Sequence, residues 1–371
     1  MANPEHPSTS STPVSEQRAL ISQRKTDHIN LCASGEVEFR SKGTLLDDLQ
    51  LIHDALPDRH LDDVDLRTPL LGKVLAAPIV ISAMTGGTDE AQEINRDLAR
   101  IAEELGLGFG LGSQRAMLVR PETTRTFVVR DVAPGVLLLG NIGLVQARDL
   151  TTAQVRSLVD GVGADALCVH LNPAMELIQP GGDRDFRGGL DTIARLHAEL
   201  GVPVVVKETG CGLSRRVGQA VRRLGITAVD VSGAGGTSWV GVETRRAQAD
   251  EKALGEELWD WGIPTGASVA ALSDLGLQIV ATGGLRSGTD VAHALALGAT
   301  AGGLAAPVLR AYKAGGYAGT VRYLQQVIAT VRAITFLAGC QRPSELASAP
   351  RVLGSRLRAW IEAERGSGSR P

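Results

Sequence analysis

A chain of 371 residues, 43% of them hydrophobic and with a formal net charge of only -3, can bury one large core and offers no polycationic surface to nucleic acid. Aromatics at 3% leave few platforms for stacked bases. No apolar run approaches the roughly 18 residues that span a bilayer, and the N-terminus lacks the basic-then-apolar order of a signal peptide, so the expectation is a cytoplasmic protein with no membrane partner.

In chain order, residues 1–20 are rich in Ser, Thr and Pro and read as a disordered tail. Residues 21–75 form a polar extension that opens with Arg24-Lys25-Thr26-Asp27-His28-Ile29, either a solvated charge run or a lid. Over 76–345, apolar runs alternate with helix-length segments. The runs are Ile79–Met84, Gly108–Gly112, Val136–Ile142, Ala166–Leu171, Val204–Glu208, Ala228–Ser232, Gln278–Gly283 and Ala301–Ala305. Between them, Glu90–Leu105, Thr152–Val162, Leu190–Leu200, Arg215–Leu224 and Thr289–Leu297 have helical character. Residues 346–371 read as a C-terminal helix and a second disordered tail. Unbroken strand-helix alternation means parallel strands joined by right-handed crossovers. Eight such units predict an α/β fold of the (β/α)8 TIM-barrel type, with the N-terminal extension over the barrel mouth. A doubly wound sheet binding a dinucleotide would carry G-x-G-x-x-G after its first strand, and no such match occurs. Cys32, Cys168, Cys211 and Cys340 include no C-x-x-C pair, which predicts isolated thiols.

Each predicted strand ends in small, amide, hydroxyl or charged residues, and a barrel gathers all those ends on one rim. Gly283-Gly284-Leu285-Arg286-Ser287-Gly288 and Gly302-Gly303-Leu304-Ala305-Ala306-Pro307 follow the seventh strand and span the eighth, the usual phosphate cradle of such barrels. Ala83, Gly86, Ser113 and Asn141 leave room for a flat heterocycle and offer hydrogen bonds to its edge, which suits FMN. Lys207 is open to three readings: a buried cation beside that ring, a Schiff-base lysine, or a salt-bridge partner. Asn172 and Glu176 supply hard oxygen ligands for Mg2+ on a substrate phosphate, over which Arg24, Lys25 and His28 would close. Glu243 could reach the rim as a general acid or base, an exposed carboxylate being the alternative.

The wording of these segments resembles the type 2 isopentenyl-diphosphate delta-isomerases, FMN-dependent barrel enzymes. The likeness rests on R-K-T-D-H-I (24–29), S-A-M-T-G-G (82–87), G-S-Q-R (112–115), N-I-G (141–143), H-L-N (170–172), G-D-R-D-F (182–186), V-K-E-T-G-C-G-L-S (206–214), S-G-A-G-G-T-S-W (232–239) and A-T-G-G-L-R-S-G (281–288). It implies FMN contacts from Ala83, Met84, Thr85, Ser113, Asn141, Lys207, Thr237, Gly284, Arg286, Ala305 and Ala306. It implies substrate contacts from Arg24, Lys25, His28, Ser113, Arg115 and His170, with Mg2+ at Asn172 and Glu176 and catalysis by His170, Glu243 and position 175. The implied reaction moves a proton across an allylic prenyl diphosphate with reduced FMN and no net redox, NAD(P)H acting as reductant. Symmetric homo-oligomers are common among such barrels. Two positions depart from the family pattern: Met175 stands where H-L-N-x-x-Q-E has glutamine, and Gly181 where P-E-G-D has glutamate. Methionine matches glutamine in size but cannot donate a hydrogen bond. The alternatives are therefore a relative that protonates a prenyl diphosphate and lets the cation cyclise or couple, and a flavin-binding protein without turnover.

Overall fold

The computed structural model describes residues 27–366; the predicted tails, Arg24 and Lys25 lie outside them. Eight strands, β1 (Ile79–Ile81), β2 (Gly108–Gly110), β3 (Leu137–Gly143), β4 (Ala166–Leu171), β5 (Val204–Glu208), β6 (Ala228–Asp230), β7 (Gln278–Ala281) and β8 (Ala301–Leu304), pair in parallel with their sequence neighbours. β8 pairs with β1 and closes the barrel. The strands are buried almost throughout because helices cover the outside and side chains fill the inside. The first helix after β1, Asp89–Leu105, shows how each crossover is bounded: Thr88 caps it by accepting from the Ala91 N–H, and Gly106 ends it in the left-handed region at φ 63°.

Inside the barrel, Val80, Leu137, Leu139, Ala166, Cys168, Val205, Ala228, Val280 and Ala301 form a closed layer. Burial pushes the Cys168 thiol up to about 12, so it behaves as a core hydrophobe. Leu70 and Leu75 join this layer from a hairpin, Thr68–Leu70 paired with Lys73–Leu75, whose turn residues Leu71 and Gly72 both have positive φ, at 49° and 84°. Positive φ at both turn residues gives the twist that a two-residue hairpin needs. The hairpin plugs the amino-terminal end of the barrel.

The N-terminal extension is divided between three places. A helix over 27–34 and the strap that follows lie across the carboxyl end, held by Phe39 N–H to Gly236 O (2.9 Å) and Ser238 N–H to Val37 O (2.8 Å). Leu49–Leu51 pairs antiparallel with Arg351–Leu353, which joins the two ends of the described chain. The hairpin closes the opposite end. Three helices between β6 and β7, Trp239–Arg246, Ala249–Leu258 and Thr265–Leu272, and the helical stretch Ala306–Leu337 after β8, which is broken by a kink at Gly316 (φ 57°), complete the covering.

Candidate active site

With one end plugged, the open cavity lies at the carboxyl ends of the strands. It is lined from every side by the strand-end residues singled out in the sequence and by the helix over 27–34. Its floor is the exit of β1, Ser82 to Thr85. Two buried hydroxyls there, Ser82 Oγ and Thr85 Oγ1, find no hydrogen-bond partner in the protein. Buried hydroxyls are seldom left so, and a ligand edge would satisfy them. Beside them Asn141 accepts from His170 Nδ1 through Oδ1 at 2.8 Å, which fixes the imidazole ring. Lys207 Nζ donates to Asp230 Oδ2 at 2.9 Å and to Thr282 Oγ1 at 3.3 Å. The lysine is thus both ion-paired, as the plainest of its three readings had it, and a lining group of the cavity. Next to it, the Glu208 carboxyl turns away to accept from the Thr209 and Cys211 N–H groups, and burial pushes it up to about 8.

At one end the loops after β6 and β7 pack back to back. A Cβ on Gly283, whose φ is 99°, would lie 2.1 Å from Gly233 O, and one on Gly236 would lie 2.5 Å from Gly284 N. Only glycine permits this approach. The helix after β7 gives the Arg286 and Ser287 N–H groups to Asp290 Oδ2 at 2.8 and 2.9 Å. The helix Ala306–Leu337 has no side-chain cap, and Ala305, Ala306 and Pro307 line the cavity. An uncapped helix start beside a glycine loop is suited to a phosphate.

The other end carries a second set of polar groups. Glu176, buried, accepts from Asn172 Nδ2 (2.7 Å), Gln179 Nε2 (3.2 Å) and Asp183 N–H (2.8 Å). Asp183 accepts in turn from Gln146 Nε2 at 2.7 Å and lies 3.9 Å from Arg115. His28 meets the edge of Trp239, ring centroids 5.2 Å apart, and bonds through Nε2 to Glu243 Oε1 at 2.9 Å. Glu243 is neither an exposed carboxylate nor a group on the rim, and both expectations are corrected: the residue is 0% exposed, lies behind His28 outside the cavity lining, and its other oxygen accepts from Arg246 at 2.6 Å. Met175 lines the cavity, its sulfur 4.0 Å from Asn172 Nδ2.

The other described residues assigned to FMN, substrate, Mg2+ or catalysis line this one cavity, whereas Gly86 lies outside its lining and packs against Phe127, which a Cβ there would meet at 2.0 Å. Residues the sequence reading left out also line it, among them Ser82, Glu38, Gln146, Gln179, Thr282 and Arg310. Ser82 opens a motif already noticed and could have been found; Glu38 and Arg310 are joined across 272 positions and carry no local signal.

The sequence matches the FMN-dependent dehydrogenase family over 17–172 and 183–352, leaving unmatched within that span only 173–182, the segment that carries Met175 and Glu176. It is 43% identical over 345 residues to the isopentenyl-diphosphate delta-isomerase of Methanothermobacter thermautotrophicus, covering 92% of this chain and 96% of that one. It is 42% identical over 359 residues to that of Thermococcus onnurineus, covering 94% and 95%. Among solved structures, a flavocytochrome b2 mutant with pyruvate bound superposes with a TM-score of 0.66 at 22% identity, over 93% of this chain and 87% of that one. A mandelate oxidase mutant with (S)-mandelic acid does so with a TM-score of 0.62 at 21% identity, over 91% and 98%. These two likenesses speak for the fold. Barrel, cavity and sequence agree, and the chain belongs to the FMN-dependent dehydrogenase family and, within it, to the isopentenyl-diphosphate delta-isomerases.

Proposed function

We propose that the protein interconverts isopentenyl and dimethylallyl diphosphate by a 1,3-allylic proton shift, with FMN in its reduced form and no net redox change. The observation that carries this reading is one cavity with two unlike ends: an uncapped helix start and glycine loops at one, and His28, His170, Asn172 and Glu176 at the other. A protein that only stored flavin would have no use for the second end.

The residues present fit FMN, since the unsatisfied Ser82 and Thr85 hydroxyls call for a polar ring edge and the Ala305–Pro307 turn for a single phosphate. Reduced FMN, when bound, supplies an electron-rich ring face and a transferable proton. Lys207, fixed by Asp230, offers a cation to that ring. Arg24, Lys25, His28, Arg115 and His170 bind and orient the diphosphate; for Arg24 and Lys25 this rests on the motif alone. Asn172 and Glu176 would hold Mg2+. Among the described residues no three His, Cys, Asp or Glu side chains converge on a cation, so the remaining ligands would be phosphate oxygens and water, as Mg2+ prefers. NAD(P)H is read as an external reductant, and the working form as a cytoplasmic homo-oligomer. No described helix is long and apolar enough to cross a membrane.

Extraction of bound pigment should yield FMN; FAD, or no flavin after reconstitution, would overturn the reading. Anaerobic proton NMR with reduced FMN, Mg2+ and isopentenyl diphosphate should show dimethylallyl diphosphate forming. Gly283→Ala should weaken flavin binding by about tenfold or more, because a Cβ 2.1 Å from Gly233 O at φ 99° forces the loop open at a cost of roughly 1–3 kcal/mol. Fluorescence titration of the apoprotein checks this.

A second reading is favoured by Met175. A thioether in the cavity wall relays no proton, so the same site could protonate a longer prenyl diphosphate and let the cation cyclise or couple. Turnover of geranyl diphosphate without turnover of isopentenyl diphosphate would favour it.

A further inference from the structure

Glu38 sits on the strap that follows the helix over 27–34, and its backbone is held firmly: it bridges to Thr237, and its carbonyl accepts from Trp259 Nε1 at 2.9 Å. Its carboxylate therefore has little choice of position. Oε2 accepts from Arg286 at 2.9 Å and Oε1 from Arg310 at 2.6 Å, and all three residues line the cavity. Burial works against the charge on Glu38, but the two guanidinium hydrogen bonds outweigh it and hold its pKa below the ordinary value.

The two arginines face different parts of the site. Arg286 belongs to the loop after β7 and donates to Gly284 O at 3.0 Å and Gly235 O at 3.3 Å, tying together the two glycine loops. Arg310, in the second turn of the helix Ala306–Leu337, reaches the opposite way, to Ala33 O at 3.3 Å and Cys32 O at 3.4 Å. Those carbonyls lie in the last turn of the helix over 27–34, where no intrahelical donor is available to them. The turn that follows is Gly35, at φ 82°, and a Cβ there would lie 3.3 Å from the Arg310 guanidinium.

As a source of stability the trio counts for little, because its side chains are 30–45% exposed and such pairs are screened. Its connectivity matters more: one end is the loop beside the uncapped helix start, the other is the helix that places His28 at the cavity mouth. We propose that Glu38 and Arg310 are positioning residues that couple the two ends of the cavity, so that flavin phosphate and substrate diphosphate bind cooperatively. The inference rests on the reading of the two ends given above. A phosphate that settles the loop holds Arg286, which holds Glu38, Arg310 and the end of the His28 helix. The second anion then meets a helix already ordered, and linkage makes the effect reciprocal.

The test is FMN affinity of the apoprotein, by flavin fluorescence, with and without saturating inorganic pyrophosphate and Mg2+. In the natural protein, pyrophosphate should tighten FMN by about fivefold or more, and riboflavin, which lacks the phosphate, should show no such gain. Glu38→Gln should reduce the factor to under about twofold while leaving the thermal midpoint within a degree or two. Arg310→Lys, which keeps the charge and loses the fork, should do the same and serves if Glu38→Gln folds poorly. FMN binding with no effect of pyrophosphate, or an undiminished effect in both variants, would overturn the coupling alone. Failure of the natural protein to bind FMN would overturn the flavin reading and the coupling with it.

Discussion

Glu243→Ala should lower the free energy of unfolding by on the order of 3 kcal/mol and remove most of the turnover. The carboxylate has no exposed surface and is shared by His28 Nε2 at 2.9 Å and the Arg246 guanidinium at 2.6 Å. Truncation takes the shared anion from both and opens a void against the helix Trp239–Arg246. The expected loss sits at the low end for a broken buried pair because Arg246 is 22% and His28 11% exposed, so water can partly replace the lost contacts. Turnover should fall further than stability suggests, since His28 faces the cavity and its ring is held between Glu243 and the Trp239 edge. Glu243→Gln separates the two effects, because the amide keeps the volume and can still accept one hydrogen bond. Urea unfolding and steady-state kinetics of both variants check this. Recovery of stability without recovery of kcat would make the charge on Glu243 the property that His28 needs. Recovery of both would make Glu243 a packing residue.

The barrel strands were legible because each is a short apolar run bounded by polar or glycine residues, and their carboxyl ends share a rim by topology alone. That is why β4 and β5 fall on the predicted residues and why widely separated motifs meet in one cavity. The connection between β6 and β7 was opaque for a physical reason. Thr265–Leu272 is buried at every position, whereas Ala249–Leu258 buries only Gly255, so neither shows the one-sided apolar stripe that marks a helix in sequence. The extension was expected over the barrel mouth, but the contacts that fasten it there carry no local signal: Arg40 lies with its guanidinium 3.8 Å above the Trp259 ring, and Lys42 reaches Gly262 O at 2.7 Å. The partners of Glu243 are hidden in the same way. A carboxylate reads as exposed unless its cationic partners are visible, and His28 lies 215 positions away.

Met175→Gln should raise isomerase turnover by about tenfold, with KM for isopentenyl diphosphate nearly unchanged. Met175 lies within the short helix Pro173–Ile178, and its carbonyl accepts from Gln179 N–H at 2.9 Å, so the backbone at this position is set by the helix and not by the side chain. Glutamine has nearly the same length and volume and can take the same path into the cavity, where Asn172 Nδ2 lies 4.0 Å from the present sulfur. Ground-state binding, which the reading proposed above assigns to other groups of the wall, should therefore change little. The difference falls on the transition state: an amide can accept and donate where the proton moves, and a thioether can do neither strongly. One restored hydrogen bond realised only there is worth on the order of 1.4 kcal/mol, which is the tenfold. Anaerobic initial rates with reduced FMN and Mg2+ measure it directly. A natural protein that isomerises briskly and a variant that gains nothing would make Met175 a neutral wall residue. A natural protein inert toward isopentenyl diphosphate, with isomerase activity appearing only in Met175→Gln, would mean that methionine redirects the prenyl cation, and the cyclising or coupling reaction would become the leading assignment.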